Sequence, residues 1–82
     1  MTRQERIEAL IDIALEQVPE MSETKEEQEE LREGLLKWQG YLPSMIQGDT
    51  VISHPLQLHS FQRMLEQVYS IKLVGAAITP RN

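Results

Sequence analysis

The side chains with the reach to do chemistry are two histidines, His54 and His59, and a run of closely spaced carboxylates at Glu26, Glu27, Glu29, Glu30 and Glu33. On a helix, at roughly 100° per residue, a separation of five turns the two histidines about 140° apart, so they cannot share a metal ion. Glu26/Glu30 and Glu29/Glu33 stand at i,i+4, which offers two oxygen ligands from one face. A di-metal carboxylate site needs such ligands from several helices together with Glu-x-x-His elements, and the sequence holds none. There is no Gly-rich phosphate loop, no G-x-S-x-G elbow and no H-E-x-x-H. The expectation is therefore no catalytic residue, no cofactor and no metal, and a protein that is not an enzyme. The acids read as solvated side chains at the start of a helix. The functional alternative is an acidic docking surface for a basic partner.

Charge narrows the partners. The net charge is −5, divided as −7 over residues 1–33 and +2 over 34–82. Phosphate-backbone affinity rests on Lys and Arg displacing counterions, so no direct nucleic-acid binding is expected, and a protein partner fits better. Without cysteine, disulfides and thiolate metal sites are excluded, in keeping with a reducing compartment. Arg3, Glu5, Arg6 and Glu8 interrupt any signal-like run. No segment approaches the roughly 20 apolar residues of a membrane span. The expectation is a soluble, cytoplasmic protein with no membrane association.

The elements that must carry these residues are helices. Thr2-Arg3-Gln4-Glu5 has capping-box spacing and opens a helix predicted over 2–18, with Ile7, Leu10, Ile11, Ala14, Leu15 and Val18 on one face and Pro19 as its stop. Ile13 lies off that stripe. Ser22 or Thr24 caps a second helix over 24–42. Its first turns carry no apolar side chain, and it becomes amphipathic along Leu31, Leu35, Trp38 and Leu42. Gly34 is placed to let a neighbouring backbone approach, and Pro43 ends the helix. Ser44 to Gln47 forms one more turn closed by a left-handed Gly48, and Val51 and Ile52 plug the core. A third helix over 54–74 is capped by Ser53, with Pro55 in its first turn. Gly75 ends it, and Ala76, Ala77 and Ile78 either pack across a subunit boundary or fray. No segment sustains period-2 alternation, so sheets are disfavoured. The fold class is all-α, a single three-helix domain spanning 1–82 and packed as a helical homodimer.

The third helix is the widest apolar element. Ile71, Met64, Val68, Phe61, Leu65, Leu58, Tyr69 and Leu73 fall on one arc of about 200°, where a surface helix usually shows about 100°. Such a helix needs cover from two directions. A chain of 82 residues buries only about 60–65% of its unfolded surface, so a second subunit is the natural reinforcement. The candidate interface is Trp38, Leu58, Phe61, Met64, Leu65, Val68, Ile71 and Lys72. Lys72 is the one charge inside the arc, placed to pair with a partner carboxylate. Gln57 and Gln62, within or at the edge of the arc, are suited to fixing register.

Leu56, Gln57, Leu58 and His59, followed by Leu65, Ser70 and Ile71 and a short apolar tail, resemble the last helix of the TraM family of quorum-sensing antiactivators. The resemblance covers about a fifth of the chain, and no functional residue is carried over from it. It implies a small helical dimer that binds a LuxR-type transcription factor. The expected function is regulatory: binding and modulating another protein, as an antiactivator or inhibitor of a transcription regulator. The alternative is a structural or chaperone-like subunit of a secretion or phage assembly.

Overall fold

A computed structural model describes residues 1–78, with side chains through Ser70 and at Lys72. Three helices, α1 (Arg3–Met21), α2 (Lys25–Met45) and α3 (Pro55–Ile78), account for nearly all of it. Between α2 and α3 lies a hairpin of two-residue strands, β1 (Ile46–Gln47) and β2 (Thr50–Val51), paired antiparallel with Ile46 opposite Val51. The domain is all-α apart from this clip. No helix among the described residues is long and apolar enough to cross a membrane.

The central element is α1. Ile7, Leu10, Ile11 and Ala14 are fully buried and Val18 nearly so. Ile13 and Leu15 widen that face by packing partly against the same core. α1 lies against both α2 and α3, whereas α2 and α3 make few contacts with each other. The core closes with Leu35, Leu42, Met45 and Ile46 from one side and Leu58, Phe61, Leu65 and Tyr69 from the other. Among the described residues no buried polar side-chain atom lacks a partner, so no desolvation penalty offsets this burial.

The hairpin is predicted nowhere in the spacing, and it has a definite task. A helix start leaves its first four N–H groups without intrahelical partners. Thr2 Oγ1 accepts from the Glu5 N–H, and the Glu5 carboxylate accepts from the Thr2 N–H at 2.9 Å, completing the expected capping box. The remaining donors go to the hairpin turn: the Arg3 N–H to Asp49 Oδ1 at 2.8 Å and the Gln4 N–H to the Gly48 carbonyl at 2.9 Å. Gln4 Oε1 accepts from the Gly48 N–H in return. Gly48 has φ +62, the left-handed region that glycine adopts at little cost. The expected left-handed Gly48 is present, in a β-turn and not at a helix end.

Four expected boundaries move. α1 continues through Pro19 to Met21, and α2 through Pro43 to Met45. Each proline sits exposed in a last turn, where it removes one hydrogen bond whose carbonyl can reach water. Ser22 Oγ donates to the Val18 carbonyl and Ser44 Oγ to the Tyr41 carbonyl, both at 2.7 Å, which ties off those ends. Thr24, not Ser22, caps α2 by accepting the Glu27 N–H, while the Glu27 carboxylate reaches back to the Glu23 N–H. Ser53 does not cap α3. The His54 carbonyl accepts the first helical bond from the Leu58 N–H, and Ser53 Oγ donates instead to the Ser44 carbonyl. Gly75 does not end α3, which runs on to Ile78. Val51 packs on the core as expected, but Ile52 is exposed and Ile46 is the plug. A Cβ on Gly34 would meet nothing within 4 Å, so no backbone among the described residues approaches it. The expectations placed on the side chains of Leu73 and Ala76 to Ile78 lie outside the described residues.

Three consequences are measurable. Leu10→Ala is expected to cost about 2–5 kcal/mol in urea unfolding, the range for a fully buried leucine, and Met64→Ala well under 1 kcal/mol because that side chain is half in water. Gly48→Ala is expected to cost about 1 kcal/mol through the strained φ. Burial holds the Tyr69 phenol above its ordinary value of 10.0. The neutral phenol therefore contributes stability that is fully present below pH 10 and is lost as pH rises toward the folded-state value. In alkaline unfolding Tyr69→Phe should flatten that loss.

Candidate functional site

Because α2 and α3 both lean on α1 and diverge from one another, an open groove runs between them. Its floor is a single aromatic contact: the rings of Trp38 and Phe61 stack with centroids 4.1 Å apart and planes 3° from parallel. Phe61 is buried beneath, while Trp38 is half-buried and faces the groove. Stacked aromatic pairs contribute about 0.5–1.5 kcal/mol beyond the area they bury, which makes this the principal tie between the two helices.

Two recesses flank the stack. One, of about 290 Å³, is lined by Trp38, Tyr41, Ser44, Met45, His54 and Gln57. That is near the lower end of the roughly 300–1,000 Å³ range of ligand pockets, with room for one large side chain. The other, of about 450 Å³, lies on the far side of Trp38 against Leu56, Ser60, Phe61 and Met64. The walls are apolar where a protein surface is usually polar: Tyr41 is 59% exposed, Leu56 79% and Met64 46%, and Val68, outside both recesses, is 48% exposed. Met64 and Val68 follow one another by a helical turn on the side of α3 that faces α2.

The wide arc of α3 is thus divided. α1 covers one flank, as Leu58, Leu65 and Tyr69 show. The Arg3 bond to Gln62 at 2.6 Å and the Arg6–Glu66 ion pair extend that contact round to the polar edge of α3. The opposite flank, Met64 and Val68, is left about half exposed by the described residues. Of the sequence-derived interface set, Leu58 and Leu65 are fully buried in the intrachain core and Phe61 lies under Trp38, so the surface available to another chain is Trp38, Met64, Val68 and the exposed Lys72. The side chain of Ile71 lies outside the described residues. Gln62 accepts a bond from Arg3 of α1, whereas Gln57 lines both recesses.

The two histidines are well separated in role. His54 sits at the head of α3 with φ +51, an uncommon conformation for a residue with a Cβ, and its ring helps close the smaller recess. His59 lies on the other side of α3, in a polar hollow with Arg3, Gln62, Arg63 and Glu66. Charge counting along the sequence shows no basic patch, yet the fold brings Arg3 and Arg63 together there, with Arg6 paired to Glu66 at its side. No local signal reveals the grouping, since about 60 residues separate its parts, and Glu66 offsets it from within. Among the described residues no three of His, Asp or Glu gather as metal ligands would. Tyr41, Leu56 and Met45 are groove residues that the helical pattern does not single out.

The half-exposed Trp38 is the only tryptophan and reports directly on this site. Phe61→Leu is expected to alter its emission and its access to iodide quenching while leaving helical circular dichroism in place. An unchanged Trp38 spectrum would mean the stack does not form in solution. No protein-family model, curated protein or solved structure matches this chain.

Proposed function

We propose that this is a small non-enzymatic regulatory protein that acts by binding another protein through the groove between α2 and α3. The observation that carries the reading is the exposed flank of α3, Met64 and Val68, set beside the half-exposed Trp38. Contiguous apolar surface of this kind marks association sites. A large aromatic group next to an empty recess is the usual anchor point of such an interface. When that partner is absent, a second copy covers the same surface, and the protein is then a homodimer in which Met64, Val68, Ile71 and Lys72 of each α3 meet the other chain. The resemblance of Leu56 to Lys72 to the TraM antiactivators points to a transcription regulator as the target, and to inhibition as the outcome.

Val68→Asp separates this role from folding. The side chain is 48% exposed, so the substitution should leave the urea midpoint of the single chain nearly unchanged. In an interface the same charge would be buried and unpaired, a penalty of about 3–5 kcal/mol. Sedimentation at micromolar concentration is expected to give a dimer for the unaltered protein and a folded monomer for Val68→Asp, and the variant should lose its target in a pull-down. A compact monomer that captures no protein would contradict the proposal. Aggregation with no fixed near-ultraviolet signal from Trp38 would favour a subunit of a larger assembly.

A further inference from the structure

The groove is apolar at its floor, and the α2 stripe that lines it turns acidic toward the start of that helix. At 3.6 residues per turn, one stripe of α2 runs through Glu27, Glu30, Gly34, Trp38 and Tyr41. Trp38 and Tyr41 line the recess on the α3 side, so the same stripe carries Glu27 and Glu30 along the mouth of the groove as the helices diverge. Both glutamates are exposed. Leu31 beside them is 37% exposed, and the space over Gly34 is open. The first nine residues of α2, Lys25 to Glu33, hold five glutamates against Lys25 and Arg32. A helix lying on the Trp38–Phe61 floor and running along α2 passes these glutamates.

We propose that the guest is a basic amphipathic helix of another protein. A large apolar side chain enters the recess of Trp38, Tyr41 and His54, the guest backbone passes closest at Gly34, and lysines or arginines stand against Glu27 and Glu30. The spacing along α2 sets their distance from the anchor. From Trp38 to Glu30 and from Tyr41 to Glu27 is about 12 and 21 Å at 1.5 Å per residue, so the bases lie roughly two to four turns from the anchor. Complementary charge at such a rim selects partner and orientation more than it adds affinity. A second copy is the weaker guest: α3 offers Arg63 and Lys72 against Glu66, and Arg63 points about 100° round the helix from Met64. This inference rests on the protein-binding reading above and adds the chemistry of the partner.

Two synthetic helical peptides without tryptophan test it. Both carry the same leucine and phenylalanine stripe, one with lysine and the other with glutamate on the remaining face. Titration is followed by Trp38 emission, and the stoichiometry by sedimentation. The lysine peptide is expected to shift the emission to the blue saturably, to bind at least tenfold more tightly than the glutamate peptide and to replace any second copy with a one-to-one complex. The tenfold margin should collapse in a Glu27→Gln, Glu30→Gln double variant, whose altered side chains are exposed, and again when salt is raised from about 0.05 to about 0.5 M. Equal binding of the two peptides would overturn the charge selection while leaving the groove a protein site. If neither peptide perturbs Trp38, the groove reading falls with it. A dimer that the lysine peptide cannot displace would make the second copy the occupant and overturn the proposal.

Discussion

Burial of one face of α1 against two neighbours at once is the interaction on which the rest of the molecule depends. Ile7, Leu10, Ile11 and Ala14 have no exposed surface, and each of the three larger side chains contributes about 1.5–3 kcal/mol of transfer free energy. No comparable seam joins α2 to α3. The two outer helices hold their positions because each is bound to α1, and their own contact is little more than the Trp38–Phe61 stack. A small domain has too little apolar surface to seal every helix pair. Here the unsealed pair is α2–α3, and the groove is the geometric result.

The hairpin makes that arrangement specific. Without it, α3 would follow α2 through a plain loop. With it, the Gly48–Asp49 turn is bonded to the first residues of α1, which fixes where α3 starts relative to the helix that it packs on. Arg3 and Arg6, one turn apart on α1, then reach Gln62 and Glu66 one turn apart on α3. The start of α1 is thereby tied to both the turn and the third helix, and α2 stays free to lean away. The apolar groove is left open by the same contacts that hold the fold.

Three helices, the capping box at Thr2 and the core face of α1 are legible in the sequence because each rests on local periodicity or on a short spacing rule. The width of the α3 arc also shows that one flank stays exposed. Which flank is a tertiary matter. It depends on the side from which α1 arrives, which the buried face of α1, the Gly48–Asp49 turn and the Arg3–Gln62 and Arg6–Glu66 contacts fix together. Leu58 and Leu65 therefore look like interface positions in the sequence and prove to be core, while Met64 and Val68 stay outside. Pro19 and Pro43 mislead for a different reason: a proline in a final turn loses a single hydrogen bond, whose carbonyl can reach water. The hairpin escapes notice because two-residue strands have no period to detect, and the Arg3 and Arg63 grouping because its members are distant in sequence.

Amide hydrogen exchange, followed residue by residue on the monomeric Val68→Asp variant, tests most directly that α1 is the hub. The slowest-exchanging amides should be those from Leu10 to Val18, with Lys25 to Glu33 of α2 exchanging early because those turns carry no buried side chain. If the slowest set lay instead in α3 between Met64 and Ser70 while α1 exchanged early, the third helix and not the first would hold the fold together, and the account would fail.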